Sequence, residues 1–321
     1  MKEYSTGRAI AKDGSSVAGD VALLDIYWVR ILESWQMAFA GKWLLFLAVG
    51  LTLETALRAE RGHTWRDYAF NIRYAFFYLV AIFGLSPVLN AGCAWLIGLA
   101  GPGWFSLAIL PTTGLHWQIA AGFMTLLVID FFYYWWHRLQ HTVPWLWEQH
   151  AVHHSDTALN VSTSARHHWT EFLFQGLFIT VPVSVFFALP PVTVWAVTLG
   201  IAGWSWFIHM NIRLHLGPLG RVISGPQLHR IHHSCLPEHT DRNFAAYTPI
   251  WDILFGTYFA PRPNEYPPTG LHGGERIRTV RLALIYPFVK WWRRIRVAPA
   301  KPSPAAVTSV ASGTSREPAE G

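Results

Sequence analysis

The sequence predicts an all-α protein, an integral membrane bundle of about four to five spanning helices with a helical cap on the cytoplasmic side. Apolar residues make up 52% of the 321 residues and charged residues only 14%, whereas soluble domains carry about a quarter charged residues. Residues 74–129 and 172–212 contain no Asp, Glu, Lys or Arg, and about twenty apolar residues are enough to cross a bilayer. The 18 tryptophans are typical of membrane interfaces.

The chain begins with a polar segment, residues 1–41, that lacks the apolar core and cleavage site of a signal peptide. Within it, the apolar residues of 22–40 are spaced for one face of a helix. This spacing favours an interfacial helix, although a short core helix would look the same.

Residues 42–123 form the predicted N-terminal membrane region. The first span candidate, 43–57, contains Glu54, whose carboxylate should face protein or water. After a basic loop, residues 74–129 are long enough for two crossings, and the Gly101-Pro102-Gly103 sequence interrupts them.

The rest of the membrane region is predicted to bring the chain back to one side. Residues 117–136 read as a span that ends at a histidine pair, and 172–212, divided by Pro190-Pro191, read as a helical hairpin. The loops around the histidines are rich in Arg, whereas 74–136 contain none. Because cytoplasmic loops carry the excess of basic residues, we expect the histidine side to be cytoplasmic.

The C-terminal part is predicted to lie on the membrane surface and then to lose order. Residues 281–297 mix aromatic and basic side chains with the spacing of an amphipathic helix at an anionic surface. Residues 298–321 are rich in Pro, Ser and Ala, which predicts disorder. The net charge of +6 flanks apolar runs without forming a single stripe, which favours anionic lipid over nucleic acid as the partner.

Histidines in three short patterns predict a metal centre. Residues three and four apart on a helix share a face, and neutral imidazole suits iron, zinc, copper or nickel. A single tetrahedral zinc takes four ligands, so eight imidazoles fit two metal ions better than one. The alternative is that abundant histidines pair by chance. The patterns are HxxxH at His137 and His141, and HxxHH at His150, His153, His154 and at His229, His232, His233.

These motifs, in this order, resemble the membrane fatty acid hydroxylase and sterol desaturase superfamily, whose members carry histidine-box di-iron sites. The resemblance covers about residues 124–262, and it includes the sequence SARHHWTEF after the second box and IWDILFGTY after the third. It implies that His168 and His209 complete the two-metal site. Trp169 and Ala245 depart from the Pro and Gly that the family often has, and the loss of Gly puts a close backbone approach in doubt.

Several polar residues near the boxes are predicted to support the ligands from behind. Metal-binding histidines usually donate their other ring N–H to an acceptor. Asp130, two helical turns before His137, would accept from a histidine N–H or from Arg138, although a structural salt bridge fits as well. The other supporting candidates are Arg166, Asn211, Asp241 and Asn243. His167, His215 and His239 are read as solvated loop histidines, and 250–258 as packing between cap and membrane helices.

The resemblance implies two ferrous ions, dioxygen as co-substrate and hydroxylation or desaturation of a lipid C–H bond, with no catalytic residues beyond the metal centre. The sequence contains no fused haem or flavin domain, so electrons are expected from a separate donor of the cytochrome b5, ferredoxin or reductase type. Two alternatives stay open. A zinc-dependent hydrolase would need a carboxylate base, for which Glu148 is the near candidate, and a non-catalytic metal or haem electron carrier would need facing histidine pairs within the spans.

Overall fold

The computed structural model describes residues 44–106, 114–189 and 191–296, and the predictions for 1–41 and 298–321 lie outside these ranges. The fold is helical, as predicted. A two-residue parallel pair joins β1 (Phe105–Ser106) to β2 (Phe187–Ala188). The helices are α1 (Leu44–Leu57), α2 (Trp65–Ala100), α3 (Leu115–Thr142), α4 (Pro144–His154), α5 (Trp169–Gln175), α6 (Val181–Phe186), α7 (Pro191–Ile208), α8 (Pro226–His232), α9 (Ile250–Leu254) and α10 (Val280–Arg296).

Three of the described helices are long and apolar enough to cross a membrane. They are α2, α3 and the continuous helix Trp169–Phe186, in which a π-helical segment, Gly176–Thr180, joins α5 to α6. Two shorter apolar helices, Leu44–Leu57 and Leu199–Ile208, accompany them. The expected break after α2 falls at Gly101 and Gly103, whose φ angles of 77° and 70° are readily adopted only by glycine.

A sharp turn between α3 and α4 brings the first and second histidine boxes together. Val143 has an extended backbone (φ −96°, ψ 113°), and this one residue is both the C-cap of α3 and the N-cap of α4. Pro144 is the first residue of α4, a position where its missing N–H and fixed φ suit a helix start. The first box therefore lies in the last two turns of α3, beyond the apolar part of the span.

Glu54 connects the end of α1 to the loops beside the site. Its side chain is 1% exposed, and its carboxylate accepts hydrogen bonds from the backbone N–H groups of Val161 at 2.7 Å and Asn211 at 2.6 Å and from Tyr68 Oη at 2.9 Å. A buried carboxylate is tolerated when such donors surround it. The expectation that Glu54 faces protein is therefore confirmed.

Helix α10 packs its inner face on α4, which carries the second box. Ala283 and Tyr286 are buried there, and Arg294 forms an ion pair with Glu148 at 2.6 Å. Glu148 is thus held toward α10, away from the histidines. The predicted contact of α10 with an anionic surface stays a prediction, and its exposed residues Trp292 and Ile295 are compatible with it.

Candidate metal centre

Nine histidines form two adjoining groups, in each of which the ring nitrogens that could bind a metal lie within 4.8 Å of one another. His209, at the end of α7, joins the three boxes. Group A is His137, His141, His150, His154 and His232, and group B is His153, His209, His229 and His233. The rings of His154 and His233, one from each group, stack with their centroids 4.3 Å apart.

Helical spacing explains how one short motif supplies both groups. On α4, His150 and His154 are four residues apart and share a face, and both belong to group A, whereas His153 points to group B. On α8 the division is reversed: His229 and the adjoining His233 belong to group B, and His232 belongs to group A. The two HxxHH boxes therefore interleave.

In five of the nine imidazoles, Nδ1 faces an oxygen acceptor. Nε2 of these rings is therefore directed into the cluster. This arrangement fixes the tautomer and the ring orientation, as is usual for metal-binding histidine. The Nδ1–acceptor distances are 2.7 Å for His137 and Phe244 O, 2.8 Å for His232 and Arg242 O, 3.4 Å for His141 and Asp241, 3.3 Å for His150 and Glu171, and 2.6 Å for His209 and Ser205 O.

Three of these five acceptors come from one short strip of the chain, residues 241–244, and all three serve group A. They are the Asp241 carboxylate and the backbone carbonyls of Arg242 and Phe244. The strip is shaped by Asp241 and Asn243, each with φ of 57°, a left-handed conformation that Asp and Asn tolerate better than other non-glycine residues. The Asn243 side chain holds the strip through Phe259, with Oδ1 accepting at 2.8 Å and Nδ2 donating at 3.1 Å. Asp252 accepts from the N–H groups of Phe244 and Ala245. The backbone of Ala245 does not have a positive φ, so the alanine costs no strain there.

The imidazoles of the boxes are buried and neutral. Burial is the main cause that lowers the pKa of His153, His154, His229, His232 and His233 well below the usual range, and neighbouring histidines lower it further. A neutral imidazole keeps a lone pair for a metal.

Several of the ring nitrogens have no protein partner, which is costly for a buried polar atom. Among the described residues, the unpartnered nitrogens in the groups are Nε2 of His141, His154 and His232 and Nδ1 of His153 and His233. Nine buried and neutral donors, five of them oriented by an oxygen acceptor and some of them unsatisfied, fit two metal ions.

The structure does not bring His168 into either group, which corrects the predicted ligand set. Its Nε2 donates to Leu284 O at 3.1 Å, and its Nδ1 accepts from Thr170 N and lies 2.6 Å from Thr170 Oγ1. Both nitrogens are therefore engaged, and His168 acts as the N-cap of α5.

His167, predicted to be a solvated loop residue, lies beside the cluster instead. Its ring stacks on that of His153 at 4.2 Å, and its Nδ1 lies 3.1 Å from Glu171, which also contacts His150 and accepts from Gln140. The spacing of four residues between His167 and Glu171 was the available signal, although His167 precedes the start of α5. His239 lies outside the groups and contacts Ser234 and Glu265.

Three of the predicted supporting residues bind backbone groups and contact none of the histidines of groups A and B. Asp130 accepts from the N–H groups of Tyr247 and Thr248 at 3.1 and 3.0 Å, not from a histidine or Arg138. Arg166 donates to Val152 O at the end of α4 and pairs with Asp156 at 3.8 Å. Asn211 hydrogen bonds to the N–H and the carbonyl of Glu60. Loops with many polar backbone groups need such partners, and the sequence pattern did not reveal which.

Comparisons with known proteins agree with this geometry. Residues 122–257 match the fatty acid hydroxylase family. The chain is 35% identical over 184 residues to an alkylglycerol monooxygenase of Danio rerio, covering 56% of this chain and 40% of the relative. It is 37% identical over 154 residues to the ornithine lipid hydroxylase OlsE of Rhizobium tropici, covering 47% and 45%, and 33% identical over 153 residues to a cholesterol 25-hydroxylase-like protein of Danio rerio, covering 44% and 55%.

The chain spans about half the length of these relatives or less. No solved structure matches it significantly. The family match nevertheless contains every histidine of groups A and B. Residues 122–257 are therefore similar to the fatty acid hydroxylase family, within the superfamily that the histidine motifs resemble.

Proposed function

We propose that this chain is a membrane-bound, iron-dependent oxygenase that hydroxylates or desaturates a C–H bond of a lipid. The observation that carries the proposal is the pair of adjoining histidine groups, which supply nine buried neutral donors just beyond the end of a membrane span. Two iron ions bound there would supply the chemistry by which dioxygen attacks an unactivated C–H bond. His137, His141, His150, His154 and His232 would hold one ion, and His153, His209, His229 and His233 the other.

Hydroxylation of a C–H bond by dioxygen consumes two electrons and two protons and releases one oxygen atom as water. The electrons come from a separate donor, of the cytochrome b5, ferredoxin or reductase type. The protein's own part is to orient the imidazoles, to exclude water and to bind the lipid. The burial of the boxes supports the exclusion of water, since His150, His153 and His233 are each 2% exposed or less.

The polar surroundings of the site favour an oxygenase over the two alternatives. A zinc hydrolase would need a free carboxylate base, but Glu148 is paired with Arg294, and Glu171 is committed to His150, His167 and Gln140. A haem carrier needs a gap for a porphyrin between two axial ligands. The rings of each group lie too close together to leave one.

A lipid with a polar end and a long apolar chain is the proposed substrate class. The names of two relatives, alkylglycerol monooxygenase and ornithine lipid hydroxylase, refer to such molecules. An apolar groove of about 490 Å³ lies between α3 and the α5–α6 helix and offers a place for the chain. It is lined by Phe131, Trp135, Trp136 and Leu139 of α3 and by Leu177 and Phe178 opposite, among others, and Trp136 and Leu139 flank His137 in sequence.

The site is proposed to face the cytoplasm because arginines surround the boxes and are absent from 74–136. Thr157 and Glu238 are exposed residues near the second and third boxes. Single cysteines at these two positions should label from the cytoplasmic side in oriented membranes. Labelling from opposite sides would contradict a shared site.

Removal of a histidine from either group tests the function itself. We expect His153→Ala and His232→Ala each to abolish oxygen-dependent lipid oxidation and to lower bound iron, while the protein stays in the membrane. Because residues that act as a unit lose activity non-additively, the double variant should be no worse than either single one. Lipid product, iron per chain and membrane yield are measured together.

Two histidines outside the groups are matched controls: His239 is buried and His272 is exposed. His239→Ala and His272→Ala should keep two ions per chain. Activity that persists in His153→Ala and His232→Ala, or without oxygen, would refute the oxygenase.

A further inference from the structure

The outer side of a short apolar segment beside α3 has no partner in the part of the chain that the structure describes. We call this segment the wedge, residues 247–255, which contains α9. Its inner side packs on α3, with the rings of Trp251 and Phe131 5.0 Å apart and those of Phe255 and Trp135 4.9 Å apart. Its outer side presents Ile250, Ile253 and Leu254, which are 41%, 46% and 63% exposed.

The position of these contacts along α3 sets the depth of the wedge. An α-helix rises about 1.5 Å per residue, so α3 from Leu115 to Trp135 is about 30 Å long, the thickness of the hydrocarbon core of a bilayer. The contacts at Phe131 and Trp135 lie within the last part of that length. Asp130 accepts from the N–H groups at the start of the wedge. It lies about 10 Å deeper in the membrane than His137, measured along the axis of α3. The wedge thus lies at the inner boundary of the hydrocarbon, below the level of the first box.

Irregular backbone at that depth is tolerated only when its polar groups are satisfied within the protein. Two buried carboxylates satisfy them here. Asp130 accepts from the backbone N–H groups of Tyr247 and Thr248. Asp252 accepts from the N–H groups of Phe244 and Ala245, and its backbone carbonyl accepts from the N–H of Thr257. A loop that faced water would not need these carboxylates.

Basic groups lie next to the apolar ones in the order that a bilayer leaflet requires. The Arg138 guanidinium lies 5.5 Å from the centre of the Trp135 ring and donates to Tyr134 Oη at 3.0 Å. Arg242 reaches Gly256 O at the end of the wedge. Arginines beside the headgroups, with aromatic rings and aliphatic side chains further in, are the arrangement of interfacial membrane segments.

We propose that the wedge is inserted into the leaflet on the cap side, with Ile250, Ile253 and Leu254 among the acyl chains and Arg138 and Arg242 at the phosphate level. The occupant of this surface is the lipid bilayer itself, because the exposed side chains of the wedge adjoin the contact of Phe255 with Trp135 of α3, two rings that are themselves 37% and 36% exposed. The wedge shares Phe131 and Trp135 with the apolar groove, so its insertion holds the cap against the membrane beside the groove. The inference depends on the membrane position of α3 and not on the proposed chemistry.

Site-directed spin labelling of the full chain in nanodiscs of phosphatidylcholine and phosphatidylglycerol tests the insertion. In a Cys93→Ala, Cys235→Ser background, single nitroxides are attached at Leu254→Cys and Ile253→Cys. Glu238→Cys, exposed in the cap, is the aqueous control, and Phe123→Cys, 57% exposed on α3, is the lipid control. Collision of each label with oxygen, which concentrates in the bilayer, and with a water-soluble nickel chelate gives its depth.

We expect the labels at Leu254 and Ile253 to collide with oxygen more than with nickel, as at Phe123, and the ratio to reverse at Glu238. Labels that behave as at Glu238 would place the wedge in water and overturn the proposal. Labels shielded from both reagents would also overturn it, because a protein surface would then cover the wedge. Neither outcome depends on metal or activity, so failure here is distinct from failure of the proposed function.

Discussion

The strip 241–244 gives the sharpest test of how the metal centre is built, through the substitution Asn243→Ala. The strip supplies the acceptors for three of the five imidazoles of group A: Asp241 for His141, Arg242 O for His232 and Phe244 O for His137. Group B takes none of these three. Loss of the strip's geometry should therefore weaken one metal site and spare the other.

The structure gives the magnitude of the destabilisation. The alanine removes two well-formed hydrogen bonds to Phe259, at 2.8 and 3.1 Å, which contribute about 0.5–1.5 kcal/mol each. It also has to keep a φ of 57°, which costs a residue other than Gly, Asn or Asp about 1–2 kcal/mol. The free energy of unfolding should fall by about 2–5 kcal/mol, less than the total stability of a typical domain at about 5–15 kcal/mol. The protein should fold, with a lower Tm.

The effect on metal binding should be larger and confined to group A. Loss of the acceptors behind metal-binding histidines typically lowers metal affinity about 10–100-fold. Titration of metal-free protein with ferrous iron should then show one tight ion per chain and one weakened by that factor, against two tight ions in the wild type. Asn243→Gly is the matched control, because it loses the same hydrogen bonds without the strain at positive φ. Its Tm should lie between that of the wild type and that of Asn243→Ala. If Asn243→Ala bound two tight ions and kept its Tm, the strip would have no role in orienting group A.

Three further predictions concern single residues around the site. Glu171→Gln should weaken iron binding about 10–100-fold, because a neutral amide oxygen cannot replace the carboxylate oxygen that His150, His167 and Gln140 all contact. Iron titration checks this, and unchanged affinity would contradict it. His168→Ala should lower the free energy of unfolding by about 0.5–2 kcal/mol through loss of the N-cap. It should keep two ions per chain, and loss of an ion at unchanged Tm would make His168 a ligand. Leu177→Trp should narrow the groove, so that KM for long-chain lipid rises at constant iron content, and a purely lower kcat would place the substrate elsewhere.

The helical class and the order of the membrane segments could be predicted from the sequence because both follow from local patterns. Charge-free runs give the spans, and the breaks after α2 and before α7 are indicated by Gly101 and Pro191. The nine histidines of the two groups were all among the ten predicted ligands. Helical spacing, which determines which side chains share a face, indicated the eight in the boxes, and the family resemblance indicated His209. His168 was misassigned because the family motif names a position, whereas the α5 cap and Leu284 O determine what its ring contacts.

The partners of the polar residues could not be predicted because they arise from long-range packing. Asp130 is two helical turns from His137, which made a histidine N–H a reasonable partner, yet Tyr247 and Thr248 are 117 and 118 residues away in sequence. No periodicity connects such positions. The need itself was predictable, because a carboxylate in a span requires donors, but only the fold shows that backbone amides supply them.

The two HxxHH boxes show why a short motif can build two metal sites at once. Three histidines at i, i+3 and i+4 cannot all converge on one point, because i+3 and i+4 lie about 100° apart around the helix. Each box must therefore divide, as His150 and His154 do against His153. The second box divides the other way, with His229 and His233 in group B and His232 in group A. Each box therefore completes the group to which the other box contributes only one histidine. Two adjoining groups of imidazoles, rather than one group with spare histidines, are the outcome that this spacing imposes once α4 and α8 face each other.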